Sequence, residues 1–145
     1  VPDPTIYICS PNDPKMTPSG NESWFMLINA PRHEPQSGVD WSSPQLTESY
    51  AKQILKTLAT RGVTTSDRIT WQQTLTPSDL ARNTLAPGGS IYGTSSNGMR
   101  SAFLRPENVT KIPNLYLVGG SSHPGGGLPL VGMSAEIVAS HIGRA

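Results

Sequence analysis

Fourteen prolines and fourteen glycines divide a chain of 145 residues, and this punctuation limits what the chain can build more than any apolar run does. Proline removes a backbone donor and fixes φ, while glycine loses extra entropy inside regular elements. Both exceed average usage, proline more strongly. Loops and turns therefore take an unusual share of the chain, and regular elements are short. The length suits one ordinary domain with a real core.

Eleven basic and ten acidic side chains, scattered along the sequence, leave a net charge of +1. That balance gives no electrostatic footprint for nucleic acid or an anionic membrane. The single cysteine, Cys9, excludes an intramolecular disulfide and a cysteine-based zinc site, and it favours a reducing compartment. Its neighbours Ile6, Tyr7 and Ile8 make it a core or strand residue. No apolar run approaches the roughly 20 residues that span a bilayer, and the N-terminus lacks the pattern of a signal peptide. Asn21-Glu22-Ser23 and Asn108-Val109-Thr110 match the N-glycosylation triplet, a pattern common by chance. The chain opens on Val1-Pro2-Asp3-Pro4 without an initiator methionine, so it is expected to be part of a longer polypeptide.

Residues 5–9 and 24–29 read as two short strands, antiparallel neighbours joined by a proline-containing surface connection. Residues 30–42, broken by Pro31, Pro35 and Gly38, read as a loop. A helix begins at Ser43 as N-cap with Pro44 in its first turn, carries Leu46, Tyr50, Ile54, Leu55 and Leu58 at helical spacing, and ends at Arg61 and Gly62. Residues 68–74 alternate as a strand. Thr76-Pro77-Ser78-Asp79 has the form of a capping box with Asp for Glu and opens a brief helix ending near Leu85. Ala86-Pro87-Gly88-Gly89 is a turn, and residues 94–108 show no period. The continuous apolar run 115–118 predicts a buried, parallel strand. From Leu130 to Ile142, Val131, Ala135, Val138 and Ile142 share one helical face. This order predicts a mixed α/β or α+β arrangement.

The chemistry concentrates at residues 114–136. There a short apolar strand, a glycine-rich turn and a helix start follow one another, the order that builds a nucleotide site. Gly125, Gly126 and Gly127 gain nothing from packing and lose entropy on ordering, so a phosphate or flavin lying against the backbone would compensate. The plainer reading is a sharp corner alone. The spacing matches neither the Rossmann nor the P-loop pattern.

Residues 115–139 resemble the C-terminal FAD-binding motif of bacterial-type phytoene and diapophytoene desaturases, within the amine-oxidase-like flavoenzymes. Thr76-Pro77-Ser78-Asp79-Leu80 and Ala86-Pro87-Gly88-Gly89-Ser90-Ile91-Tyr92-Gly93 are similar to a segment those enzymes carry upstream. Asp3-Pro4-Thr5-Ile6-Tyr7 looks like their substrate-domain strand. The resemblance implies an FAD-dependent oxidoreductase that desaturates or isomerises a carotenoid or isoprenoid polyene by hydride transfer to flavin. It places Gly119, Gly120, His123, Pro124, Gly125, Gly126 and Gly127 along the FAD, with Leu130, Val131, Gly132 and Met133 approaching its isoalloxazine ring. It also implies a fold: the C-terminal portion of an FAD/NAD(P)-binding type, an incomplete Rossmann-like domain. Residues 1–110 would belong to the substrate-binding domain and its sheet, and residues 111–145 would complete the FAD-binding domain.

The Gly-x-Gly-x-x-Gly turn that holds the ADP half of FAD in that family is absent from these residues. The expected partners are therefore the missing N-terminal dinucleotide-binding half and an apolar polyene, with self-association through uncovered surface. The fragment alone would bind FAD weakly or not at all. The parent would be cytoplasmic, peripheral to the membrane. The other reading is a non-catalytic binding or interaction module derived from a flavin fold. A ketolase, an isomerase and a retinol saturase share the enzyme class.

No catalytic residue stands out. His123 is expected to bond the backbone or flavin rather than shuttle a proton. His33 and His141 have no partners at ligand spacing, so no metal site is expected. Glu136 reads as a solvated or dipole-paired residue, and Trp24, Trp41 and Trp71 as core or interface anchors rather than cofactor stackers. Arg100 and Arg105 are expected either at the surface or at a pyrophosphate.

Overall fold

Residues 5–9 and 24–29 do pair: Ile6–Cys9 (β1) and Phe25–Ile28 (β2) run antiparallel, with Tyr7 opposite Leu27 and Cys9 opposite Phe25. In this computed structural model, which describes residues 3–65, 67–93 and 105–143, they form a two-stranded sheet. Tyr7, Cys9, Phe25 and Leu27 share its exposed face. Cys9 is thus a strand residue but not a core one. The chain divides into two compact units, Val1–Gly89 and Ser90–Ala145, and its described elements are this sheet, three α-helices and one 3-10 turn. The mixed α/β class is therefore observed.

In the first unit, Pro44–Thr60 (α1) starts where the local chemistry requires. Ser43 Oγ accepts from the Leu46 amide, proline occupies the first turn, and Gly62 follows at φ +89°. Ile54 and Leu58 are its buried residues. Trp41 is buried beside the helix, its ring edge-on to Tyr50 at 5.3 Å and 72°. The Trp41 Nε1 donates to the Pro31 carbonyl at 2.8 Å, so its polar edge is satisfied. Burial pushes the Tyr50 phenol upward.

Pro77–Thr84 (α2) carries the capping box in full. Thr76 Oγ1 accepts from the Asp79 amide at 3.2 Å, and Asp79 Oδ2 accepts from the Thr76 amide at 2.9 Å. The helix ends in Leu85, left-handed at φ 59°. A 3-10 turn at Pro87–Gly89 follows, and a Cβ on Gly89 would overlap the Pro77 carbonyl. The hydrogen bonds from the Thr76 backbone and then its side chain, with Arg82 adding less, hold the Asp79 carboxyl below its ordinary value. A depressed folded pKa contributes stability above the unfolded value, about 4, which is lost as pH falls through the folded one. Thr76→Ala is expected to lower stability by about 1 kcal/mol at neutral pH and by less below pH ~4, as read by denaturant unfolding across pH. An equal loss at both pH values would contradict the charged cap.

Residues 68–74 are not a strand. Ile69 and Trp71 are exposed, the latter by 76%, and no described strand pairs with this segment. Alternation assigns faces only where a partner supplies the ladder, and Trp71 is not a core residue. Trp24 is exposed too, its Nε1 bonded to Glu22.

In the second unit, residues 115–118 make a single antiparallel bridge, Tyr116 to Val109, in place of the predicted buried parallel strand. Leu115 and Val118 are exposed. The chain folds back through Asn114, left-handed at φ 63°, so the nearest backbone partners are its own residues 108–110. The Leu117 amide donates to the Asn108 carbonyl at 2.8 Å.

Leu128–Ile142 (α3) begins two residues before the predicted start and is capped by Gly127 without a side-chain bond. Its buried residues are Ser134 and Val138. Ala135 and Ile142, expected on the core face, are exposed, because a buried serine with hydrogen-bond partners replaces part of the apolar stripe. Among the described residues the buried aliphatic and aromatic side chains besides Pro4 are Trp41, Ile54, Leu58 and Val138, a small core for a chain of this length. No described helix is long and apolar enough to cross a membrane.

Candidate functional site

The glycine-rich turn is held from beneath by a polar knot. Ser134, with no exposed surface, receives the Asn108 Nδ2 at 2.8 Å and the Gly119 amide at 3.1 Å through its Oγ. Asn108 Nδ2 also donates to the Leu117 carbonyl at 2.8 Å. Ser122 Oγ lies 3.3 Å from Ser134 Oγ and donates to the Gly119 carbonyl at 3.0 Å. Each buried polar group thereby meets a partner. The strand remnant, the turn and α3 are tied at one point. Asn108 is buried with its amide engaged, so the second glycosylation triplet is closed in the fold.

A second brace acts from the side. Arg105 Nη1 donates to the Tyr92 and Gly120 carbonyls, both at 2.8 Å. Tyr92 is left-handed at φ 66°, and its ring packs so closely on Gly126 that a Cβ there would overlap it. Gly126 is therefore required by packing and not only by the turn. Non-glycine residues in this backbone region are strained and need surrounding structure to hold them. Arg100 lies outside the described residues.

The predicted site residues fall into three groups. Gly119, His123 and Val131 have their amides committed, to Ser134 Oγ, to the Pro106 carbonyl at 2.9 Å and to the Gly127 carbonyl at 2.9 Å. They contribute shape, not donors. Gly120, Pro124, Gly125 and Gly126 form the braced turn, and the His123–Pro124 peptide is cis. Gly127, Leu130, Gly132 and Met133 border open space. A Cβ on Gly119, Gly127 or Gly132 would meet nothing within 4 Å. The amides of Gly125, Gly126, Gly127, Leu128 and Leu130 donate to no described residue, and the helix start concentrates partial positive charge there. Leu128, Leu130 and Met133 are exposed around it. The arrangement offers spare N–H groups, room against the backbone and an apolar lip, which fits a flat, electron-rich ligand with an anionic tail.

Described residues line a concavity in each unit. A cleft of about 340 Å³ beside the turn is lined by Glu107, Asn108, Val109, His123, Ile137 and His141. Among the described residues no group of three His, Cys, Asp or Glu could hold a metal. In the first unit an open groove of about 620 Å³ runs between α1 and α2 past Trp41, Leu55, Thr74 and Asp79. Its charges are internally paired, Glu48 with Lys52 and Asp79 with Arg82.

Sequence reasoning missed Ser134, Ser122 and Tyr92 and read Asn108 only as part of a triplet. A serine inside an apolar helix was the available signal, since its hydroxyl there needs a partner.

Comparison with known proteins bears on the ligand. The chain is 41% identical over 144 residues to the 1-hydroxycarotenoid 3,4-desaturase of Flavobacterium sp. (strain P99-3), an alignment covering 97% of this chain and 28% of that protein. The chain is a homologue of carotenoid desaturases. It is also 33% identical over 145 residues to the 4,4'-diapophytoene desaturase (4,4'-diaponeurosporene-forming) of Staphylococcus aureus (strain Newman), covering 97% of this chain and 29% of that protein. The chain thus spans less than a third of the length of these desaturases. No family model matches it. The similarity to carotenoid desaturases runs through both units, glycine turn and capped α2 included.

Proposed function

We propose that this chain is the C-terminal part of an FAD-dependent carotenoid desaturase, and that its glycine turn and α3 form the flavin-facing half of a two-part FAD site. The observation that carries this reading is the open backbone at Gly119, Gly127 and Gly132, together with the amides of 125–128 and 130, which donate to no described residue. The homology to desaturases acting, by their names, on carotenoids and diapophytoene supports an apolar polyene as substrate.

In this reading residues 111–145 complete an FAD-binding, Rossmann-like domain, to which Arg105 and Asn108 tie the preceding segment. Residues 1–110 belong to a substrate-binding domain. A second polypeptide region supplies the Gly-x-Gly-x-x-Gly half. Bound FAD would supply the two-electron acceptor that desaturation of a polyene requires. The chain's own residues bind and orient. Gly127, Leu128 and Leu130 would offer N–H groups to the cofactor, Gly119 and Gly132 would let it approach, and Leu128, Leu130 and Met133 would exclude water from the apolar side. The parent's association with a membrane surface follows from where such a substrate partitions.

The test is purification of the full-length polypeptide followed by assay with carotenoid polyenes. The reading predicts stoichiometric FAD and a product with an added double bond. Colourless protein that FAD does not reconstitute would overturn it.

A further inference from the structure

We infer that Arg105 is an anion-binding residue of this site, its Nε and Nη2 edge, which donates to no described residue, taking an anionic oxygen of the flavin nucleotide at Gly125. The inference rests on the FAD reading above and goes beyond it by assigning the charge that holds the ligand. Four observations carry it.

The first is position. A Cβ on Gly125 would stand 3.3 Å from Arg105 Nε and 3.5 Å from its Cζ, so the guanidinium lies directly against the turn. The second is spare bonding capacity. A guanidinium has five N–H groups, and the bonds to the Tyr92 and Gly120 carbonyls both leave from Nη1. The Nε and Nη2 groups donate to no described residue. Two fixed carbonyls on one edge pre-orient the other edge, and a fork of parallel N–H groups matches phosphate or carboxylate-like oxygens.

The third is charge. Arg32, Arg61 and Arg82 pair with Glu34, Asp3 and Asp79, but Arg105 makes no ion pair among the described residues. Its unit carries only two acidic side chains, Glu107 and Glu136, against Arg100, Arg105, Lys111 and Arg144. Residues 94–104 contain none. The fourth is setting. Arg105 is half-buried, and the adjacent Gly125 and Gly126 amides are also unpaired among the described residues. A partly desolvated cation with an open edge, set among spare amide donors, is the arrangement that receives an anion.

Two parts of the cofactor present such oxygens: the diphosphate, and the pyrimidine edge of the flavin, which gains negative charge on reduction. Arg105→Gln and Arg105→Lys in the full-length polypeptide separate them, with FAD and ADP affinities measured at low and high salt and the midpoint potential of bound FAD. Arg105→Gln is expected to weaken binding of the liganded anion roughly ten- to hundredfold and to flatten its salt dependence, with partial recovery in Arg105→Lys. A parallel loss for ADP assigns the diphosphate. Unchanged ADP affinity with a potential lowered by about 30 mV, a tenfold change in the reduced-to-oxidised affinity ratio, assigns the ring edge.

The inference is overturned if Arg105→Gln leaves both affinities and the potential at wild-type values. It is also overturned if both variants lose FAD equally while salt dependence stays that of the wild type, which marks a brace for the two carbonyls. If Arg105→Gln does not fold, the salt dependence of Arg105→Lys decides in the same terms. A wild-type protein that binds no FAD refutes the flavin reading itself and is recognised before any variant is made.

Discussion

Gly132→Leu is expected to make the protein more stable and the flavin site useless. Gly132 lies in the first half of α3, and a Cβ there would meet nothing within 4 Å, so the first carbon of a leucine side chain has room in the protein. Replacing a helical glycine with a good helix former gains up to about 0.8 kcal/mol. If a cofactor lies against that backbone, the same side chain fills its space. FAD affinity is then expected to fall by at least a hundredfold, an effect of about 2.7 kcal/mol, opposite in sign to the stability change. Thermal unfolding and FAD titration on one preparation check both. A variant that is stabilised and still holds FAD normally would show that the open space at Gly132 is not part of the site. Gly126 makes a useful contrast, because there a side chain would strike the Tyr92 ring and both quantities should fall together.

The second large effect is expected at the polar knot. Ser134→Ala leaves the Gly119 amide and one Asn108 N–H without their acceptor. Each buried orphan costs about 1–3 kcal/mol, so a loss of about 2–4 kcal/mol is expected after partial relaxation. Asn108→Asp tests the same bonds at nearly constant shape. Its carboxylate cannot donate to the Leu117 carbonyl, whereas its protonated form can restore one donor. Stability of that variant should therefore improve relative to wild type as the pH falls through the carboxyl's range. Denaturant unfolding at neutral and acid pH measures this, and a variant whose deficit does not change with pH would contradict the role of the amide as donor. A cost below about 1 kcal/mol for Ser134→Ala would mean that water takes over the bonds.

How much of this was legible in the sequence divides along the range of the forces involved. The starts of α1 and α2 were readable because Ser43 and Thr76 bond to amides three residues away and Pro44 and Pro77 fit the first turn without reference to the rest of the chain. The pairing of residues 5–9 with 24–29 was readable because both are short, apolar and bounded by turn residues. Residues 68–74 and 115–118 were not, since a strand exists only through its partner, and the local pattern of Ile69 and Trp71 says nothing about whether one is present. At the site, the glycines announced an approachable backbone. What holds that backbone did not show, because Asn108 reaches Ser134 across 26 positions and Arg105 reaches Gly120 across 15. On α3, Val138 was placed correctly and Ala135 and Ile142 were not, for the same reason: a hydropathy pattern counts Ser134 as polar and exposed until its partners are known.

A flavin bound against the turn and the start of α3 would cover backbone amides there. Hydrogen–deuterium exchange on the full-length polypeptide, with and without FAD, tests that placement most directly. FAD is expected to slow exchange at the amides of residues 125–128 and 130, which have no described acceptor in the protein, while residues 44–60 stay unchanged. FAD binding with no added protection anywhere in residues 119–133 would contradict it.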